Sequence, residues 1–344
     1  MSQAQQPKML FIRLRSLGDT VLMTPCLEVA RRAGYRTAVL VEAPFDAILE
    51  EHPHLDDLFV LPRKGKSWMN RLAMLRRLRD YRADIAVDLH GGSTAALMTR
   101  WSAALSRVGY ASSRHRRSYD VAAPDSRLVW GRQDIHTAEH QLAPLKHLGL
   151  PADPPPDPLL PVRPRARAEV DKLLAEAGLA GRSFALIHPA AAFDTKQWDA
   201  RRFAAVGDRL QQRLGIPVAV TAGPGEEPLI EQVASSMESP PTRVPPQALD
   251  RFAALAARCA IYLGNDTGPM HMAAAFKRPV VAVFGSSDWR VWHPWRTPHR
   301  LIKADLSCIP CPGYTCHLYE EPRCIRSIGV ERVWEAVKEL VEST

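Results

Sequence analysis

No stretch of this chain approaches the roughly 20 consecutive apolar residues that a membrane-spanning helix needs. Two phosphate-binding signatures are also missing. No Gly-x-Gly-x-x-Gly follows the first apolar run, and no Gly-x-x-x-x-Gly-Lys-Ser/Thr occurs, which argues against a nicotinamide enzyme and a P-loop hydrolase. The N-terminus lacks a secretion signal, because the first apolar run is short and contains Arg13 and Arg15. These absences predict a cytoplasmic protein.

Length and composition favour a folded chain of two domains. The sequence has 344 residues, of which 46% are hydrophobic, enough to bury a sizeable core and to exclude global disorder. The net charge is +8, from 45 basic and 37 acidic residues, which favours anionic partners such as nucleotides, phosphorylated glycolipids, membrane surfaces or nucleic acid. The alternative is that an arginine-rich composition carries no functional meaning. Two basic clusters are more specific, one over residues 71–82 and one over 114–117.

Strand and helix patterns alternate through both halves of the chain. Strands are predicted at 9–14, 37–41, 58–61, 85–88, 108–110, 184–188, 218–221, 261–263 and 280–284. Helices are predicted at 21–32, 68–79, 94–105, 137–148, 166–177, 202–214, 229–236, 249–259, 271–276 and 330–341. Such alternation is typical of α/β domains with parallel sheets covered on both faces. Between them, residues 151–164 contain seven prolines in fourteen positions, which predicts a stiff interdomain linker.

Two strand–turn–helix units carry polar residues where α/β proteins bind ligands, beyond the carboxyl ends of strands. In the segment GNDTGPMH at 264–271, the free N–H groups of a helix start suit a phosphate, although an ordinary capped turn would look the same. In the segment RLRSLGD at 13–19, Asp19 stands just before a predicted helix. It is either the helix N-cap or, as a carboxylate kept ionised by the helix N-terminus, a general base.

These segments resemble motifs of the ADP-heptose:lipopolysaccharide heptosyltransferases. RLRSLGD is similar to the N-terminal signature of that family and GNDTGPMH to its nucleotide-diphosphate turn. His188-Pro189, KQW at 196–198 and GPGEE at 223–227 follow in the family order, so the resemblance spans the chain from about residue 9 to the last helix. It implies a GT-B fold, in which two Rossmann-like domains face a central cleft, and inverting, metal-independent sugar transfer.

The resemblance also implies a division of labour. Residues 1–150 would form the acceptor-side domain, 151–164 the linker and 165–328 the nucleotide-sugar domain, with the helix in 329–344 packing back on the first domain. Asp19 would be the catalytic base. The donor-binding set would be Lys196, Glu226, Asp266, Thr267, Gly268 and His271.

Each donor-site residue also has a structural interpretation. Lys196 lies in a loop after a strand, where it can reach a diphosphate as a point charge or simply be solvated. Glu226 or Glu227 would bind the ribose hydroxyls or cap the next helix, and Glu226 is the preferred candidate. His271 would support the site or fill the core.

Four cysteines lie within seventeen residues, at Cys308, Cys311, Cys316 and Cys324. They form a plausible structural metal site for zinc or iron, with His317 as an alternate ligand, or they are thiols that pack a loop. Relatives that glycosylate autotransporters bind iron in a similar segment, with different spacing. No cofactor is expected for catalysis.

The leading hypothesis is transfer of a heptose from ADP-heptose to a lipopolysaccharide core hydroxyl, by a cytoplasmic enzyme in peripheral contact with the inner membrane. Arg114, Arg116 and Arg117 would attract an anionic glycolipid acceptor. The alternatives are a metal-containing, basic nucleic-acid-binding protein and a heptosyltransferase with a protein acceptor. A sugar-nucleotide epimerase would need the missing dinucleotide motif.

Overall fold

The computed structural model describes residues 6–63, 68–311 and 313–343. Residues 1–5, on which the expectation about a secretion signal partly rests, lie outside the described residues. The chain divides into two units, Met1–Pro161 and Val162–Thr344. The division falls inside the proline-rich segment 151–164 that the sequence marks as a linker. Among the described residues, no helix is long and apolar enough to cross a bilayer.

The first unit is a parallel sheet flanked by helices. Its strands are β1 (Lys8–Ile12), β2 (Arg36–Glu42), β3 (Asp57–Leu61), β4 (Ile85–Asp88), β5 (Ser106–Tyr110) and β6 (Val121–Ala123). Its helices are α1 (Leu17–Leu22), α2 (Thr24–Arg32), α3 (Trp68–Tyr81), α4 (Ser93–Trp101), α5 (Ser126–Trp130) and α6 (Thr137–His147). The helix predicted over 21–32 is therefore two helices, because the second begins afresh at Thr24 with Pro25 in its first turn, where a proline needs no N–H partner.

The second unit repeats the pattern. Its strands are β7 (Ala185–His188), β8 (Val218–Val220), β9 (Thr242–Arg243), β10 (Ile261–Asn265), β11 (Val280–Phe284) and β12 (His299–Lys303). Its helices are α7 (Pro164–Glu176), α8 (Ala200–Leu214), α9 (Glu227–Ser236), α10 (Leu249–Ala256), α11 (Gly268–Ala275), α12 (Trp289–Trp292), α13 (Arg323–Arg326) and α14 (Val330–Glu342).

Both sheets have the doubly wound strand order of a Rossmann fold. The first runs β3-β2-β1-β4-β5-β6 and the second β12-β11-β10-β7-β8-β9, with the strands parallel throughout. The order reverses between β1 and β4 in one sheet and between β7 and β10 in the other. Ligands of such sheets bind at these switch points, outside the carboxyl ends of the strands. The expected α/β class with two Rossmann-like sheets is confirmed.

The sequence patterns did not predict the outer strands β6, β9 and β12. Two of them are very short, and β12, at the edge of its sheet, has basic residues at three of its five positions, as is common for edge strands. The inner strands are apolar on both faces, as buried parallel strands are, and were recognised from that pattern.

The last helix, α14, belongs to the second unit. Its apolar side, with Val333, Trp334, Val337 and Leu340, is part of the hydrophobic core that also contains β7, β8, β10 and β11. The helix packs against α8, β11 and β12. The expectation that it also packs back on the first domain stays a prediction.

Candidate active site

Asp19 lies at the switch point of the first sheet, in the turn that follows β1. Helix α1 begins at Leu17 with Ser16 as its N-cap, so Asp19 lies inside the first turn and is not the cap. Its carboxylate accepts hydrogen bonds from the Ser16 backbone N–H at 3.3 Å and the Ser16 hydroxyl at 2.9 Å. It also forms an ion pair with Arg13, and its side chain is 16% exposed. The carboxylate is thus held in place and can still be reached.

The turn after β4 is tied to this turn. Arg13 donates to the backbone oxygen of Leu89, and the His90 ring contacts the Arg15 carbonyl through Nδ1 at 3.2 Å. Burial and the nearby Arg13 guanidinium lower the pKa of His90, so its imidazole is neutral near pH 7. The arginine that pairs with Asp19 therefore also fixes the neighbouring strand end.

Asp88, the last residue of β4, organises the second of these turns. Its carboxylate accepts from the backbone N–H groups of His90 and Gly91, both at 2.8 Å, and from the Tyr119 hydroxyl at 2.7 Å. Burial raises the pKa of Asp88. These partners all belong to the fold, which makes Asp88 a positioning group. Asp88, His90 and Tyr119 were missed from sequence, although an acidic strand end followed by His-Gly-Gly was a usable signal.

A cavity of about 150 Å³ opens beside these two turns. Its polar lining comes from Arg15, Glu42, Asn70, Arg71, His90, Ser93 and Thr94. Neither Arg15 nor Arg71 forms an ion pair with a carboxylate in the described part of the chain. Two available guanidinium groups suit an anionic ligand, and the Glu42 carboxylate can accept from hydroxyl groups.

The predicted acceptor loop lies beside this cavity but does not line it. Arg114, Arg116 and Arg117 are not among its lining residues. Arg116 donates to the backbone oxygen of Tyr119 at 3.4 Å, and the neighbouring Ser113 hydroxyl donates to the Gly91 carbonyl at 3.5 Å. The loop is thus attached to the β4–α4 turn. The arginine that lines the cavity, Arg71, comes from the other basic cluster, residues 71–82.

In the second unit, the switch point brings Lys196 and Asp266 together. Lys196 follows β7 and Asp266 follows β10, and the Lys196 Nζ atom lies 2.9 Å from a carboxylate oxygen of Asp266. The Asp266 side chain is 4% exposed and that of Lys196 is 26% exposed. Lys196 is therefore not a solvated surface residue. An ammonium group has three N–H donors, so two remain for an anion.

Asn265 connects the two loops that carry this pair. Its amide donates to the Pro189 carbonyl at 2.8 Å, and its side-chain oxygen accepts from the Trp198 backbone N–H at 3.0 Å. Trp198 is fully buried and donates through its ring to the Ile328 carbonyl at 2.9 Å. Trp198 accordingly packs in the core beneath the loop, and the Lys196 loop is anchored on both sides.

Helix α11 begins immediately after Asp266. Thr267 is its N-cap, Gly268 its first residue and Pro269 its second, as is typical of a helix start. His271 is buried, with its ring 6.0 Å from that of Trp292. The helix N-terminus thus lies beside the Lys196–Asp266 pair, as expected for a phosphate site, while His271 lies in the core of the unit.

Glu226 is the N-cap of α9, and its carboxylate closes the turn after β8. An oxygen of that carboxylate accepts from the Gly223 N–H at 2.8 Å. Glu227 is the first residue of the helix and is exposed. Glu226 therefore occupies the N-cap position without a side-chain capping hydrogen bond, and it lies at the carboxyl edge of the sheet.

Thr195, next to Lys196, is clamped between β11 and the cysteine-rich segment. Its backbone oxygen accepts from the Ser286 N–H at 3.1 Å and from the Cys324 thiol at 3.8 Å. Its hydroxyl donates to the Gly313 carbonyl at 3.2 Å and accepts from the Ser286 hydroxyl at 3.0 Å. This support for the Lys196 loop was missed from sequence, because it depends on contacts between distant segments.

The cysteine-rich segment, of which the structure describes residues 308–311 and 313–324, packs against the Lys196 loop. Among the described residues, no group of three or more His, Cys, Asp or Glu side chains is arranged to hold a metal ion. Burial, together with the three other thiols of the segment, raises the pKa of Cys324 to about 11. The Cys324 thiol donates to Thr195. A structural metal at Cys308, Cys311, Cys316 and Cys324 stays a prediction, while the contacts of Cys324 and Gly313 with Thr195 support the Lys196 loop.

Comparison with known proteins is decisive for the family. The model of glycosyltransferase family 9 (heptosyltransferase) matches residues 71–320. This chain belongs to that family. It is 28% identical over 303 residues to lipopolysaccharide heptosyltransferase 3 of Escherichia coli K12, covering 82% of this chain and 83% of the relative. Family membership decides between the hypotheses drawn from the sequence in favour of a glycosyltransferase.

Solved structures of this family share the fold. A glycosyl transferase family 9 protein from Veillonella parvula superimposes with a TM-score of 0.86 at 23% identity, over 98% of both chains. The ADP-heptose lipopolysaccharide heptosyltransferase II of E. coli gives a TM-score of 0.76 at 20% identity, over 98% of this chain and 99% of that one. The GT-B fold implied by the sequence motifs is confirmed.

Proposed function

We propose that this glycosyltransferase moves a heptose from ADP-heptose to a hydroxyl group of a lipopolysaccharide core acceptor, with inversion at the anomeric carbon. The observation that carries the proposal is the Lys196–Asp266 pair beside the N-terminus of α11, at the switch point of the second sheet. A cation and free helix N–H groups at one point suit a diphosphate. The names of relatives, which include heptosyltransferases of lipopolysaccharide and lipooligosaccharide, support the sugar and the acceptor class.

In the proposed reaction, the second unit holds the donor. Lys196, Thr267 and the N–H groups at Gly268 contact the diphosphate, and Asp266 keeps the Lys196 ammonium in position. Glu226 accepts hydrogen bonds from the ribose hydroxyls with the carboxylate oxygen that the Gly223 N–H does not use. His271 supports the helix from the core.

The first unit supplies the base and the acceptor. The Asp19 carboxylate takes the proton of the acceptor hydroxyl, whose oxygen then attacks the anomeric carbon while the bond to the diphosphate breaks. ADP leaves with the negative charge, which Lys196 and the helix N-terminus stabilise, so no divalent ion is needed for departure. Arg15 and Arg71 in the cavity, and Arg114, Arg116 and Arg117 beside it, draw an anionic acceptor.

The test measures ADP release and product mass after mixing purified protein, ADP-heptose and a heptose-deficient core acceptor, with and without EDTA. We expect transfer in both conditions. Strict dependence on added divalent ion would contradict the proposed departure step. If the enzyme transfers the sugar to an autotransporter protein but not to the glycolipid, the proposed acceptor is wrong. If another sugar nucleotide alone stabilises the protein, the proposed donor is wrong. A ligand at a hundred times its dissociation constant stabilises a protein by about 2.7 kcal/mol, which a thermal shift detects.

A further inference from the structure

One face of the first unit carries most of the large hydrophobic side chains that the described residues expose. Six of the ten belong to α3, α4 and the residues just after α4. They are Trp68, Met69, Leu72, Leu97, Trp101 and Leu105, and together we call them the α3–α4 surface. Trp68 is 71% exposed and Leu105 is 83% exposed. A concentration of exposed apolar groups of this kind marks an interaction site, whereas single exposed residues do not.

The two helices present this surface on the same side because they cover the same face of the sheet. Met74 and Leu78 of α3 and Met98 of α4 are buried in one core cluster with residues of β1 and β2. Residues 69, 72 and 76 on α3, and residues 97 and 101 on α4, occupy the opposite sides of their helices at helical spacing. The exposed groups therefore point away from the sheet.

The charge around this surface is predominantly positive. The exposed Asp80 is the one acidic residue of α3 and α4, and no Asp or Glu occurs in residues 93–119, whereas arginines recur through both stretches. Arg76 and Arg100 are exposed. No ion pair involves Arg76 or Arg79 in the part of the chain that the structure describes. Apolar and aromatic groups interleaved with cations suit an anionic layer whose interior is apolar.

We propose that the α3–α4 surface binds an anionic phospholipid bilayer. Tryptophan places its ring at the level of lipid headgroups, leucine and methionine reach the acyl boundary, and arginines bind the phosphates. Nucleic acid accounts for the arginines but not for exposed leucines and methionine, which have no favourable partner on a phosphate backbone. A second copy of this chain would bring two arginine-rich faces together.

The surface continues into the acceptor side of the candidate site. Asn70 and Arg71 line the cavity, and their neighbours Trp68, Met69 and Leu72 belong to the α3–α4 surface. An acceptor anchored in the bilayer could then place its sugar at the cavity while its acyl chains stay in the membrane. This use of the surface depends on the proposed function, whereas the binding of lipid does not.

The first experiment measures co-sedimentation of the full chain with vesicles of phosphatidylcholine alone and with added phosphatidylglycerol. We expect binding to the anionic vesicles that weakens as salt rises. A Trp68→Ser/Trp101→Ser/Leu105→Ser variant should bind about tenfold more weakly or worse. The matched control is Leu128→Ser/Leu318→Ser, which removes exposed leucines elsewhere and should bind like wild type. Arg76→Ser/Arg79→Ser should also weaken binding, unlike Arg167→Ser/Arg182→Ser, which changes the net charge equally.

The second experiment compares acceptors. With a water-soluble acceptor lacking acyl chains, the triple variant should transfer at the wild-type rate, and with acceptor embedded in anionic vesicles its rate should fall about tenfold. Absence of vesicle binding by wild type overturns the inference even if soluble transfer is intact, in which case the proposed function stands. Equal weakening by the control variant, loss of transfer to the soluble acceptor, or a dimer that the triple variant dissociates would each overturn it too.

Discussion

Replacing Gly285 with alanine tests whether the clamp on Thr195 positions Lys196. Gly285 follows β11, and a Cβ atom built on it would lie 1.8 Å from the Thr195 carbonyl oxygen, whereas real Cβ contacts do not fall below 3.0 Å. The Thr195 backbone must therefore retreat by more than about 1 Å, and Lys196 is the next residue. Because a 1 Å misplacement of a positioning group can cost about a hundredfold in rate, we expect a loss of this order in kcat/KM for the donor.

The measurement combines donor kinetics, ADP affinity by calorimetry and thermal unfolding of the Gly285→Ala protein. The matched control is Gly329→Ala, since nothing lies within 4 Å of a Cβ there and its φ is −80°. Overpacking alone typically costs about 1–3 kcal/mol of stability. If Gly285→Ala lowers the unfolding temperature but keeps wild-type ADP affinity and kcat/KM, the clamp does not position Lys196. Thr195→Val, which removes only the hydroxyl hydrogen bonds, should show a smaller loss of the same kind.

Three further predictions concern single groups. Lys196→Ala should weaken ADP binding. It should also leave the buried Asp266 carboxylate without its cation, which lowers the free energy of unfolding by about 1–3 kcal/mol in denaturant titrations. An additional Asp266→Asn change should restore part of that loss. Arg71→Ser, and separately Arg114→Ser/Arg116→Ser/Arg117→Ser, should raise the acceptor KM and leave ADP affinity unchanged; whichever variant keeps the wild-type KM lies outside the acceptor site. Burial lowers the pKa of His188 from 6.5 to about 4. Between these pH values the unfolded chain binds a proton at this residue and the folded chain does not. The free energy of unfolding should therefore fall by about 3 kcal/mol between pH 6.5 and 4. In urea titrations, the free energy of unfolding of His188→Gln should depend less on pH between 6.5 and 4. An unchanged pH dependence would contradict the assignment.

The sequence predicted the elements that bury apolar residues on both faces and the turns that follow them. The inner strands and the segments around Asp19, Lys196 and Asp266 were found in this way, because local pattern and turn chemistry specify them. It did not predict the start of α1, since residues 17–20 mix a glycine, an aspartate and a threonine that lack helical periodicity. Because α1 begins at Leu17 and not at residue 21, Asp19 lies in the first turn of the helix and not at its N-cap.

Contacts between distant segments could not be predicted from one sequence. The hydrogen bonds of Asp88 with Tyr119 and of Thr195 with Ser286 and Gly313 join residues far apart along the chain. The same holds for the contact of the Cys324 thiol with the Thr195 carbonyl, which the clustering of four cysteines along the chain did not suggest.

The most direct test of the central claim is the Asp19→Asn variant, which keeps the size of the side chain and removes the base. We predict that it binds ADP with wild-type affinity, since the donor residues lie in the second unit, while kcat falls by about a hundred- to ten-thousandfold. The amide oxygen introduced by this substitution can still accept from Ser16, so Tm serves as the control for folding. Near-normal turnover with an unchanged pH profile would contradict the account and leave Asp19 as a structural residue of the α1 turn.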